Sequence, residues 1–236
     1  MNPFDKHILL FLNEYVGRWP HFEVLLAEFQ KNNFLKGALF MLPIWYLWHC
    51  SAPTEQATLQ TRQKLIATIV AMVTGIVVAR LLADLLPFRA RPIFNTELNL
   101  RPSAVVDANG LATWSAFPSD HAVVWFTVAF GVLQIHRPLG WLLCLYGSFL
   151  AFGRIFFGFH HPTDILAAVI ISMGTLWLCL RAPIRETLYA PMARLQQRHP
   201  AAYWAGAFLA SYEVANLFDD VRQIAEHARS MLRTVL

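Results

Sequence analysis

Three short runs carry the side chains that could do chemistry. The first is Leu-Pro-Phe-Arg-Ala-Arg-Pro, with Arg89 and Arg91. The second is Phe-Pro-Ser-Asp-His, with Ser119, Asp120 and His121. The third begins at Gly-Arg, with Arg154, and continues to His160, His161 and Asp164. Arginine forks suit phosphate oxygens. Ser119 stands where a helix should begin, and orphan N–H groups and the helix dipole favour an anion there. A histidine with a carboxylate four residues on, as at His160 and Asp164, can be held through one ring nitrogen while the other attacks. His121 is then available to protonate a leaving group. An anion clamp, an oriented nucleophile and an acid together describe phosphoryl transfer without a metal. A zinc site built from His121, His160 and His161 would place a cation beside arginines that repel it, so no metal and no other cofactor is expected.

The elements that position these runs follow from composition. The chain is 56% hydrophobic and only 14% charged, against about 25% charged in soluble domains. The surplus apolar surface needs lipid, which excludes a disordered chain and a free-standing soluble core. A net charge of +4 is accounted for by basic loops on one membrane face, without nucleic acid. A span needs roughly 20 apolar residues, and five segments fit or nearly fit: 34–50, 64–86, 120–136, 139–156 and 163–182. The fold class expected is therefore all-α, a polytopic membrane helix bundle with five spans, six if the amino-terminal stretch also crosses. Residues 1–33 form amphipathic helices at the interface or against the bundle, broken near Gly17 and Pro20. Residues 34–182 form the core. Residues 183–236 form a helical tail with an amphipathic stripe at Val214, Leu217, Phe218, Val221, Ile224, Ala228, Met231, Leu232 and Val235. That stripe packs on the protein or membrane, with homo-oligomer formation as the other use.

Alternation of the spans brings all three runs to one face. Arg62, Lys64, Arg137, Arg181, Arg185, Arg194 and Arg198 fall on the other, which makes that face and the tail cytoplasmic and turns the 87–119 loop outward.

In order and spacing, Arg91-Pro92, Pro118-Ser119 with His121, and Arg154, His160 and Asp164 resemble the three-part signature of the type 2 phosphatidic acid phosphatase superfamily of membrane phosphatases. The resemblance implies that His160 attacks phosphorus to form a phosphohistidine, that Asp164 orients it and that His121 protonates the departing group. Arg91, Ser119 and Arg154 would hold the phosphoryl oxygens. Arg89, Asp120 and His161 would contact substrate or support these groups. Three positions depart from the pattern: Asp84 stands at the signature's lysine, Asp120 at its glycine and Gly153 at its serine. Arg89 is expected to stand in for the lysine in preference to Arg80, which could instead neutralise Asp84 one turn along the helix. The Pro-Ser-Asp-His variant looks like the bacitracin-resistance type of undecaprenyl pyrophosphate phosphatase. The implied activity is hydrolysis of a lipid phosphate or diphosphate, a polyprenyl diphosphate being favoured, at the outer face of an inner membrane. Lipid-to-lipid phosphotransfer, and an inactive lipid-binding or scaffold role, stay open at this point.

Overall fold

The computed structural model describes residues 1–50, 53–218 and 220. Among them the regular elements are helical: α1 (Pro3–Asn13), α2 (Pro20–Lys31), α3 (Leu39–His49), α4 (Glu55–Leu85), α5 (Asp120–Leu133), α6 (Arg137–Phe156), α7 (Pro162–Cys179), α8 (Ala182–Arg198) and α9 (Pro200–Ala215). The starts are written in the sequence. Asn2, Thr54, Ser119 and His136 each accept a hydrogen bond from a first-turn N–H, and prolines occupy first or second helical positions in α1, α2, α6, α7, α8 and α9. Both devices settle backbone groups that a helix start leaves unbonded.

α4, α6 and α7 are long and apolar enough to cross a membrane. Each presents an outward apolar stripe: Val73, Val77 and Leu81 on α4; Trp141, Leu142 and Leu145 on α6; Leu166, Ile170, Met173 and Trp177 on α7. Residues three and four apart share a helix face, so these are continuous strips of exposed hydrocarbon of the kind lipid covers. The other two expected spans are shorter. α5 has 14 residues, about 21 Å at 1.5 Å per residue, and none of them is exposed. It is the centre of the bundle, enclosed by α4, α6 and α7. α3 has 11 residues after a π-helical turn, Phe34–Ala38.

The central packing is close. A Cβ at Gly131 of α5 would overlap Thr68 Oγ1 of α4, so glycine is what lets these two backbones approach. α1 and α2 pack on α6, and α1 also reaches α7. α8 lies along α4, and α9 returns to α3, where Trp45 Nε1 donates to Ser211 Oγ (2.9 Å) and Trp204 stacks on Trp45 at 5.7 Å. The carboxy-terminal stripe from Val221 onward lies outside the described residues.

Candidate active site

The carboxyl ends of α4 and α6 and the amino ends of α5 and α7 are joined by single backbone hydrogen bonds. Ala116 N–H donates to the Arg89 carbonyl (2.8 Å), Ile93 N–H to the Gly158 carbonyl (3.0 Å) and Ser119 N–H to the Asp164 carbonyl (3.4 Å). Gly158 takes a φ of +69°, and a Cβ there would press on Ile93 at 3.2 Å, so the turn after α6 needs glycine. The 86–119 loop is fastened from outside by the amino-terminal helices. Lys31 Nζ donates to the Val105 carbonyl (2.7 Å), Arg101 Nη1 to the Val16 carbonyl (3.1 Å) and Ser103 Oγ to Glu23 (2.6 Å). All three chemistry-bearing runs thus meet at one end of the bundle.

His160 sits at the centre, 2% exposed. Its Nδ1 lies 2.8 Å from the Ala116 carbonyl oxygen. A carbonyl only accepts, so Nδ1 carries the proton and Nε2 keeps its lone pair. Nε2 faces Arg91 Nη1 at 3.4 Å. Burial pushes the imidazole down to about 4, the Arg91 cation acts in the same direction and Asp164 opposes them. At neutral pH it is uncharged, with Nε2 free of a proton. Asp164 was expected to orient it directly, but Asp164 Oδ2 is 3.7 Å from His160 Nδ1, beyond hydrogen-bond length. The direct bond goes to Ala116. Asp164 Oδ2 accepts instead from His161 N–H (2.7 Å) and lies 3.1 Å from His161 Nδ1, closing the start of α7. His161 is therefore buried against Asp164.

Arg91 and Arg154 are both buried. Arg91 Nη1 donates to the Phe159 carbonyl (2.9 Å), while its Nε makes no hydrogen bond. Burial, with Arg154 and Arg80 nearby, lowers its guanidinium to about 10, so it stays charged at neutral pH. Arg154 lies in the last turn of α6, with Cζ 5.6 Å from the Phe159 ring centre, and its carbonyl accepts from Phe159 N–H and His160 N–H. Both guanidinium charges act on the His160 imidazole. Ser119 Oγ caps α5 by accepting from Ala122 N–H (3.4 Å), and the residue is fully buried.

His121 is partly exposed. Asp120 Oδ1 accepts from His121 N–H (3.0 Å) and lies 3.2 Å from its Nδ1. Asp120 also pairs with Arg80, whose Cζ stands over the Trp114 ring. Two expectations about the missing lysine change here. Arg80 is committed to Asp120 across to α5, and Asp84, one turn further on, points outward and exposed. Arg89 was preferred as the lysine's substitute, yet its fork is tied to two carboxylates, Asp164 and Asp5 (2.7 Å). The reason is packing: α1 brings a buried carboxylate to Arg89 that nothing near the motif in sequence could announce.

That carboxylate is the part of the site the sequence reading missed. Asp5 is 0% exposed. It accepts from Thr163 N–H (2.9 Å), Thr163 Oγ1 (2.6 Å) and Asn2 Nδ2 (2.7 Å) as well as from Arg89. Burial works to raise its pKa, but the bonds from Thr163, Asn2 and Arg89 outweigh that and hold it below the ordinary aspartate value. In sequence, Asn-Pro-Phe-Asp reads as a helix start with an acid in its first turn. Its one unusual feature is a carboxylate among Phe4, Ile8, Leu9 and Leu12. Ala116, whose carbonyl holds His160, could not have been found from a side-chain pattern.

The PAP2 superfamily model matches residues 68–187. The chain is 28% identical over 137 residues to undecaprenyl-diphosphatase BcrC of Bacillus subtilis (strain 168), covering 58% of this chain and 62% of that protein. It is 24% identical over 146 residues to the bacitracin transport permease protein BcrC of Bacillus licheniformis, covering 61% and 66%. A putative undecaprenyl-diphosphatase, YbjG of Escherichia coli (strain K12), is 26% identical over 151 residues, covering 64% and 68%. The matches to the two Bacillus proteins thus span just under two thirds of those relatives' length. No solved structure matches.

Proposed function

The chain belongs to the PAP2 superfamily, and from that premise we propose that it is an integral membrane lipid phosphatase that hydrolyses a polyprenyl diphosphate through a phosphohistidine at His160. The observation that carries the reading is the state of His160: buried, neutral, its Nδ1–H spent on Ala116 and its Nε2 lone pair turned to Arg91. Substrate choice follows the relatives, two of which are named undecaprenyl-diphosphatases.

In the first step Nε2 forms a bond to the terminal phosphorus, and the bond to the bridging oxygen breaks. His121 gives its proton to that oxygen, and the lipid monophosphate departs. In the second step water, deprotonated by His121, attacks the phosphohistidine. Inorganic phosphate leaves, and both histidines return to their starting states. Arg91, Arg154 and the Ser119 end of α5 hold the non-bridging oxygens. They are aimed where charge gathers in the transition state, which is where fixed donors accelerate reaction most. The arginines supply the positive charge of this mechanism, so turnover is expected in EDTA. Arg62, Lys64, Arg137 and Arg181 stand at the bundle end opposite the site, which favours an outward-facing site and an inward tail in an inner membrane.

The test is phosphate release from undecaprenyl diphosphate by purified protein in detergent with EDTA, alongside His160→Ala. The variant should lose turnover and acid-labile phosphoenzyme together. Retention of more than a few per cent of activity would sink the assignment. Phosphate appearing on a second lipid in place of water would convert the reading to phosphotransfer.

A further inference from the structure

Resting on that reading of His160, we infer that Asp5 is a positioning residue of the reaction, and that helix α1, outside the stretch matched by the family model, is a working part of the active site.

The argument is a chain of contacts in which each member has little freedom. Asp5 is fully buried and takes four side-chain or backbone donors from three segments: Asn2, Thr163 and Arg89. A buried carboxylate so completely bonded cannot shift without breaking several charge-assisted bonds at once. Arg89 offers Nη2 to Asp5 at 2.7 Å, and Nη1 to both Thr163 Oγ1 at 3.0 Å and Asp164. Its guanidinium is planar, so fixing one edge on Asp5 fixes the direction of the other edge toward Asp164. Asp164 in turn holds His161 and lies beside the Nδ1 face of His160. Without Asp5, Arg89 would still have Asp164 but could swing about it, and Asp164, beside the nucleophile, would keep only its His161 contacts as a fixed support. The same arrangement explains why Arg89 does not act as a phosphate ligand: both edges of its fork are occupied by carboxylates. Arg91 and Arg154 are left for the substrate.

A residue that merely anchored α1 would affect every ligand of the site alike. A positioning residue should affect the ligand that needs His160 in place. Orthovanadate can take Nε2 as an apical ligand and mimic the five-coordinate phosphorus, whereas inorganic phosphate needs only the arginine clamp. The experiment is isothermal titration of both anions into the full chain in detergent, for wild type, Asp5→Asn and Thr163→Val. Asn keeps an acceptor for Thr163 N–H but removes the charge that holds Arg89. Val removes the hydroxyl shared by Asp5 and Arg89 and leaves the charge. The expected result is vanadate affinity lowered about tenfold in Asp5→Asn, and less in Thr163→Val, with phosphate affinity within about twofold of wild type, because misplacing a reacting group acts on the transition-state geometry first. If Asp5→Asn yields no folded protein, Thr163→Val carries the same comparison. Equal weakening of both anions would reduce Asp5 to an anchor, and unchanged vanadate binding would remove it from the site. Should wild type bind vanadate no more tightly than phosphate, the phosphohistidine reading itself fails and this inference with it.

Discussion

Arg89 and Arg91 are two residues apart, yet the structure gives them opposite jobs, and alanine at each should separate those jobs cleanly. Arg89 bridges two carboxylates that are each 0% exposed, Asp5 and Asp164, and its own side chain is 27% exposed. Removing it strands two buried negative charges near each other. Breaking a buried pair in this way costs about 3–5 kcal/mol, which corresponds to a melting temperature lower on the order of 10 °C for a chain of this size. Arg91 is different. Its hydrogen bonding within the protein is a donation to the Phe159 carbonyl and a long contact with His160 Nε2, its Nε makes no bond, and two other arginines crowd it. Losing it should change stability by about 1 kcal/mol or less, the worth of one ordinary hydrogen bond. It should nevertheless lower kcat/KM by about 100- to 1,000-fold, as removal of one transition-state oxyanion donor does. The assay is paired: tryptophan fluorescence on heating in detergent, and phosphate release from undecaprenyl diphosphate at a temperature where both variants are folded. If Arg91→Ala proved the less stable of the two, or Arg89→Ala melted with wild type, the assignment of Arg89 to the carboxylates would be refuted.

Further outcomes follow from the same geometry. His121→Ala should slow substrates with strongly basic leaving groups much more than aryl phosphates, whose leaving groups need no proton; an equal loss on both would refute His121 as the acid. Because the attacking form of His160 is neutral and burial places its titration at about 4, kcat/KM should stay level on the acid side until pH falls toward that value, then decline as the imidazole protonates. A decline centred at the ordinary histidine value of 6.5, reversible on return to neutral pH, would contradict the burial of the nucleophile. A cysteine placed at Asn95 should react with an impermeant thiol reagent from outside intact cells and one at Gln196 should not. The reverse pattern would turn the site inward.

What the sequence by itself determined is whatever is recorded in local pattern. The surplus of apolar residues required a membrane, and Ser119 marked a helix start because a helix end must settle its unbonded groups wherever it lies. The residue types and intervals of Arg91, Ser119, His121, Arg154, His160 and Asp164 named a chemistry because oxyanion binding, nucleophilic attack and proton transfer each need particular side chains. The tertiary structure decided who touches whom. It gave the proton on His160 Nδ1 to a backbone carbonyl, Ala116, which carries no side-chain signal. It set Arg80 on Asp120 in place of Asp84, and it closed Arg89 between Asp164 and Asp5, a residue 84 positions away in the chain. A charged side chain in a bundle pairs with whatever partner packing brings within about 3 Å, since a buried charge left alone is too costly. That partner is chosen by helix contacts, which no interval along the chain records.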